Sequence, residues 1–240
     1  MKPWVVITRD GSDVPPLSER LLARIELLPY PVLQLRPFYD PRGWAELLEH
    51  QEHLGLILFT SRHAPEPFRQ QAQHHGRLEA LASLPVAAVG ETTAAACVKA
   101  GFQVMLVGSA GGVALAEIIA AQFHSPTGVA FPCGREHREE TVVHLRQAGF
   151  QVLPLVVYAM EPTPLAQLPP LPASSPTAVV VTSPRTARLY WQATAGRFAQ
   201  VTHFAWGSTT AEELRRLGLE PRVLLKPTAA SLEEALWQTL

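Results

Sequence analysis

Short apolar runs recur along almost the whole chain, and helix-length segments lie between most of them. The runs are WVVIT (4–8), PVLQL (31–35), GLILFT (55–60), VAAV (86–89), QVMLV (103–107), GVAFP (128–132), QVLPLVVY (151–158), AVVVT (178–182), THFAW (202–206) and PRVLL (221–225). The helical pattern occupies 17–28, 44–53, 63–75, 91–100, 113–123, 138–148, 209–217 and 231–239. A strand whose apolar residues run on without alternating is buried on both faces, which a parallel sheet flanked by helices provides. The expected class is therefore α/β.

The chain also repeats itself. LILFTSRHA (56–64) answers VVVTSPRTA (179–187), and AVGETTAAACVKAGF (88–102) answers AWGSTTAEELRRLGL (205–219). The spacing from Gly90 to Gly101 equals that from Gly207 to Gly218. Repetition at this scale predicts two similar α/β lobes rather than a short-period solenoid. Two extended, proline-marked stretches, 27–43 and 151–164, bracket the first copy. Proline and the residue before it favour extended backbone. The expected lobes are 40–155, and 1–35 with 163–240, with crossings at 36–39 and 156–162 and a cleft where the chain crosses. The six prolines of 161–176 mark a surface loop or a linker.

Composition removes several function classes. The formal net charge is −1, which supplies no general attraction to nucleic acid or an anionic membrane. The N-terminal MKPWVVITRD meets charge too soon for a signal peptide, and no apolar run approaches the roughly 20 residues that span a bilayer. Cys97 and Cys133 form no C-x-x-C, which suits a reduced cytoplasm and offers no metal framework. Cys97 reads as core, and Cys133, near a strand end, is a conceivable reactive thiol. His74 and His75 read as a solvated helix end, and His137 and His144 as surface positions on one helix. No G-x-S-x-G surrounds Ser61 or Ser183, which argues against a hydrolase nucleophile.

In open parallel sheets, ligands bind outside the carboxyl ends of the strands. Those ends here carry Thr8-Arg9, Thr60-Ser61-Arg62, Gly90-Glu91-Thr92-Thr93, Gly134-Arg135, Thr182-Ser183 and Gly207-Ser208-Thr209-Thr210. Hydroxyls, helix-start amides and arginines are chemistry for carboxylates and other anions. With only three Asp in the chain, carboxylate-rich Mg²⁺ chemistry is not indicated. The expected ligand is an organic polyanion bound without metal. The same Thr-Ser and Thr-Thr pairs also serve as helix N-caps. Tyr158, closing the run VLPLVVY, offers a phenol for proton transfer or packs the crossing.

The ordered set VITR, LFTSRHA, AVGETTAAACVKAGF, FPCGREHREETVVHLRQAGFQVLPLVVY, VVVTSPRTA and WGSTTAEELRRLGL resembles the uroporphyrinogen-III synthase family along nearly the whole chain. The resemblance implies two similar lobes joined by a two-stranded connection. It also implies a cofactor-free cytoplasmic lyase, a monomer with at most transient contact with the preceding pathway enzyme. The implied substrate is hydroxymethylbilane, a linear tetrapyrrole, closed with loss of water and inversion of ring D. It assigns substrate binding to Arg9, Thr60, Ser61, Gly90, Thr93, Arg135, Ser183, Gly207 and Thr210, and proton donation to the departing hydroxyl to Tyr158. Glu91 stands where the family often has proline, and should point away from an anionic ligand. The competing reading is a non-catalytic two-lobed polyanion or tetrapyrrole sensor, which a turnover assay separates.

Overall fold

A computed structural model describes residues 2–108, 111–124 and 127–240. In chain order the elements are β1 (Trp4–Ile7), α1 (Glu19–Leu22), β2 (Glu26–Pro29), β3 (Leu33–Pro37), α2 (Pro41–Glu49), β4 (Leu54–Phe59), α3 (Pro65–His74), α4 (Leu78–Ala82), β5 (Val86–Val89), α5 (Glu91–Lys99) and β6 (Val104–Gly108). They continue as α6 (Gly112–Gln122), β7 (Gly128–Gly134), α7 (Glu140–Gln147), β8 (Gln151–Pro162), β9 (Ala178–Val181), α8 (Pro184–Thr194), β10 (Thr202–Ala205), α9 (Ser208–Arg216), β11 (Arg222–Val223) and α10 (Ala229–Trp237). The chain divides into two compact units, Leu35–Met160, and Met1–Gln34 with Glu161–Leu240. It passes from one to the other within β3 and β8, which are hydrogen-bonded neighbours.

The unit Leu35–Met160 is built on the sheet β3-β8-β7-β4-β5-β6, in which β8, β7, β4, β5 and β6 run parallel. Ile57 and Phe59 of β4 pack with Phe68 of α3 and Cys97 of α5, while Leu56 and Leu58 pack with Ile119 of α6 and Leu145 of α7. Each such fully buried side chain contributes about 1.5–3 kcal/mol. Covering both faces is what makes the run apolar without alternation.

The other unit holds the all-parallel sheet β11-β10-β9-β1-β2. Trp4 and Val6 of β1 pack with Tyr190 of α8 and Leu214 of α9, and Val5 and Ile7 pack with Leu21 of α1 and Leu232 of α10. The five parallel strands of the two units follow one order. In each, a central strand (β4 or β9) is flanked by its chain successor on one side and by β7 or β1 on the other. The strand order reverses between β4 and β7 and between β9 and β1, and such switch points open a crevice at the strand ends.

Several local expectations change. The pattern at 17–28 supports a helix only over Glu19–Leu22, because Glu26–Pro29 pairs in parallel with Trp4–Ile7 as the edge strand β2. Helix α8 lies outside the helical segments read from the sequence, although Ser183-Pro184 is a good start signal. Ser183 Oγ accepts from Thr186 N at 3.1 Å, and Ser183 N donates to Thr186 Oγ1 at 2.9 Å. In the proline-rich 161–176 stretch, a short 3-10 turn forms at Leu165–Gln167, and Leu168 and Leu171 pack on the core.

Candidate active site

The switch point of the unit Leu35–Met160 gathers the side chains suited to chemistry. Phe59 ends β4, and half-buried Thr60 and Ser61 follow before α3 begins at Pro65. The N-cap position of α3 is Ala64, with no side-chain cap, so Ser61 is not consumed by capping that helix. Its Oγ accepts from the main-chain N–H of His63 at 3.3 Å and from the hydroxyl of Tyr158 at 2.9 Å.

A register slip aims Tyr158. Along β7 and β8 the pairs advance together from Gly128↔Gln151 to Cys133↔Val156, and then Gly134 pairs with Tyr158, skipping Val157. Before the slip, Leu153, Leu155 and Val157 face the Phe59 and Phe68 side, and Val152 and Val156 the other. Strand alternation would send Tyr158 to the second face. The slipped residue returns it to the first, beside Ser61. Bulges of this kind re-aim side chains next to active sites. The carbonyl of Val157 accepts from Phe38 N at 3.0 Å and from Gln71 Nε2 at 3.4 Å.

Tyr158 is only 8% exposed, and burial pushes its phenol pKa up, with the Ser61 contact opposing. The group therefore keeps its proton at neutral pH and is a hydrogen-bond donor, although burial also makes it a weaker acid. The His63 ring approaches it edge-on, with centroids 6.0 Å apart. Arg135 donates its main-chain N–H to Tyr158 O at 2.9 Å and sets its exposed guanidinium 4.3 Å over the Phe38 ring. Phe38 is held in turn: its carbonyl accepts from Gln71 Nε2 at 2.9 Å, and Gln71 Oε1 accepts from Trp44 Nε1 at 2.7 Å. At the end of the neighbouring strand β5, Gly90 precedes α5 with φ +76°, and Thr93 is buried at 5% exposure. The first N–H groups of a helix have no intrahelical acceptor, so α5 offers them to an anion. Glu91 is exposed in that first turn.

The second switch point has different details. Thr8 Oγ1 accepts from Thr182 N at 3.2 Å, and Ser183 is committed to the α8 cap. Arg9 stacks 4.9 Å over Trp206 and donates to Asp13 O at 3.2 Å. Gly207, with φ −171°, precedes α9, where Thr210 is buried.

Other candidates fall outside these sites. Cys97 and Cys133 are buried free thiols, each pushed up to about 12 by burial, which makes Cys133 a core group rather than a reactive one. His137 lies before α7, not on it, with Nδ1 on Gly134 O at 3.0 Å. His75 is not simply solvated: it stacks on Trp44 at 4.4 Å. Among the described residues no group of three or more His, Cys, Asp or Glu is placed to hold a metal ion, and no helix is long and apolar enough to cross a membrane. The supports His63, Phe38 and Gln71 were not singled out from sequence. His63 alone had a signal, its place in the quoted LFTSRHA.

Residues 21–234 match the family model HEM4, uroporphyrinogen-III synthase HemD. The chain belongs to the uroporphyrinogen-III synthase family. A search of curated proteins finds no match. Among solved structures, uroporphyrinogen-III synthetase from Helicobacter pylori is similar at 18% identity and TM-score 0.65, with 99% of this chain and 100% of that one covered. A mutant uroporphyrinogen III synthase from the extremely thermophilic bacterium Thermus thermophilus is similar at 18% identity and TM-score 0.58, over 99% of this chain and 98% of that one. These likenesses carry the fold, and the family match carries the activity. The enzyme is a lyase of tetrapyrrole biosynthesis that cyclises hydroxymethylbilane to uroporphyrinogen III with inversion of ring D and loss of water.

Proposed function

We propose that the Ser61–Tyr158 pair at the β4/β7 switch point carries the proton step of this synthase. The carrying observation is the 2.9 Å hydrogen bond between a buried, protonated phenol and a half-buried serine hydroxyl. In the first step the C–O bond of the terminal hydroxymethyl group breaks. The departing hydroxide takes a proton supplied by Tyr158 and leaves as water, and the bilane keeps a delocalised azafulvene cation. Ring D is then attacked at its substituted carbon, and the spiro intermediate fragments and recloses. The ring carbon that forms the last bond releases a proton, which balances the one delivered.

Much of the rate comes from holding the flexible chain in the reactive shape. Arg135, Thr60, Ser61, Gly90 and Thr93 at this switch point, and Arg9, Gly207 and Thr210 at the other, hold substrate carboxylates through guanidinium groups, hydroxyls and helix-start amides, while Ser183, whose hydroxyl closes the α8 cap, contributes by fixing the start of that helix. Arg9 and Arg135 are supported for this by the aromatic platforms that orient them. The enzyme works as a cytoplasmic monomer, with neither metal nor cofactor. Lobes of about 40–155, and 1–35 with 163–240, each supply substrate-binding residues. The test is turnover of freshly made hydroxymethylbilane by Tyr158→Phe, with isomer analysis of the oxidised product. A slower enzyme still yielding the III isomer is expected, and an unaltered rate would reduce the tyrosine to packing.

A further inference from the structure

The absence of a side chain at position 134 has a cause that backbone conformation does not supply. Gly134 ends β7, is buried, and is not among the residues with positive φ. A Cβ built there meets Tyr158 Cζ at 2.7 Å, Cε2 at 2.9 Å and the hydroxyl oxygen at 2.9 Å. The phenol therefore lies directly across the glycine. The register slip in β8 and the main-chain bond from Arg135 N to Tyr158 O at 2.9 Å hold that strand from the other side. The ring can move away from position 134 only against its neighbours, since it also meets the edge of His63 and belongs to the core cluster of Phe59 and Phe68.

We infer that Gly134 is a positioning residue: its missing side chain is the floor that sets the Tyr158 hydroxyl against Ser61. The inference rests on the catalytic reading of Tyr158 and adds a residue to it. A methyl at 134 forces the ring outward, and the 2.9 Å contact to Ser61 is the first thing lost. The backbone needs no adjustment, because any residue adopts its conformation. An aromatic ring jammed between a strand and a methyl group cannot give as a flexible side chain would.

The test is a double-mutant cycle between Gly134→Ala and Tyr158→Phe, read in kcat on hydroxymethylbilane and, separately, in thermal unfolding. Phenylalanine keeps Cζ and Cε2, so the steric cost at 134 persists in both backgrounds. The hydroxyl to be misplaced exists only in one. The expected result is a loss of kcat of roughly 2- to 10-fold for Gly134→Ala when Tyr158 is present and almost none when Tyr158→Phe is already in place, from one neutral hydrogen bond of about 0.5–1.5 kcal/mol. KM changes little in either. An equal fold-loss in both backgrounds overturns the inference, since a purely structural glycine affects both alike. If Tyr158→Phe itself retains full turnover, it is the catalytic reading that fails. Should Gly134→Ala not fold, Gly134→Ala/Tyr158→Ala makes room for the methyl. Recovery of the fold is then expected, and failure to recover overturns the contact.

Discussion

Thr60-Ser61 and Thr182-Ser183 end the central strands of two sheets with the same strand order, and their surroundings have diverged. Ser183 sits in a closed capping box with Thr186. Ser61 caps no helix and accepts the hydrogen bond of Tyr158. Gly90 and Gly207 differ in the same sense: φ +76° makes Gly90 a conformational requirement, whereas φ −171° at Gly207 is open to any residue. Even the paired arginines differ, for Arg9 is tied to Asp13 O as well as stacked, and Arg135 is stacked on a ring whose residue the Gln71 amide pins. A repeated motif thus preserves a scaffold position while its side chain takes on a cap in one unit and chemistry in the other.

The strongest test of that contrast is Tyr158→Phe. Losing a donor worth about 0.5–3 kcal/mol, the upper end applying where charge develops, predicts a turnover roughly 2- to 150-fold slower with the III isomer retained. A folded enzyme with no detectable activity would show acid catalysis to be worth more than this. The glycines come next. Gly90→Ala should lower stability by about 1–3 kcal/mol, because alanine is strained at that positive φ. Gly207→Ala should leave thermal unfolding nearly unchanged, since nothing lies within 4 Å of its added Cβ, and raise KM, since the proposed function sets that backbone against substrate. Equal stability losses would erase the distinction between the two.

The serines should differ by readout. Ser183→Ala is expected to cost about 1 kcal/mol in unfolding while kcat of the folded enzyme stays within about twofold. Ser61→Ala should slow turnover by roughly 2- to 10-fold and, because it leaves the Tyr158 hydroxyl without its acceptor, also cost about 1–3 kcal/mol in unfolding, so kcat is the readout that separates the two serines. Alkaline titration gives a smaller effect. Both cysteines belong to the unit Leu35–Met160, and burial raises each from 9.0 to about 12. Their protonated forms favour the fold fully below about pH 9, and that stability is lost as pH rises from there toward 12. Cys133→Ala should flatten the fall in unfolding temperature over that window. A chelator should have the smallest effect of all, leaving turnover unchanged; activity lost to it and restored by a divalent ion would refute the metal-free reading.

Much of the fold was legible because burial on both faces writes itself into composition. The apolar runs at 4–8, 55–60, 128–132 and 178–182 became central parallel strands. Edge elements were not: Glu26–Pro29 carries a helical pattern, and only its pairing with β1 makes it a strand. At the site, the chain order alone placed Ser61, Gly90 and Arg135 at strand ends, since strand termini and helix starts are local features, whereas Tyr158, expected to end its strand, lies inside β8, which runs on to Pro162. It could not distinguish Ser61 from Ser183, whose flanking residues are nearly alike, because the difference lies in a partner 97 residues away in one case and three away in the other. Nor could alternation reveal which face Tyr158 takes. That depends on a one-residue slip against β7, and register between strands is a property of their pairing, which no single strand's sequence contains.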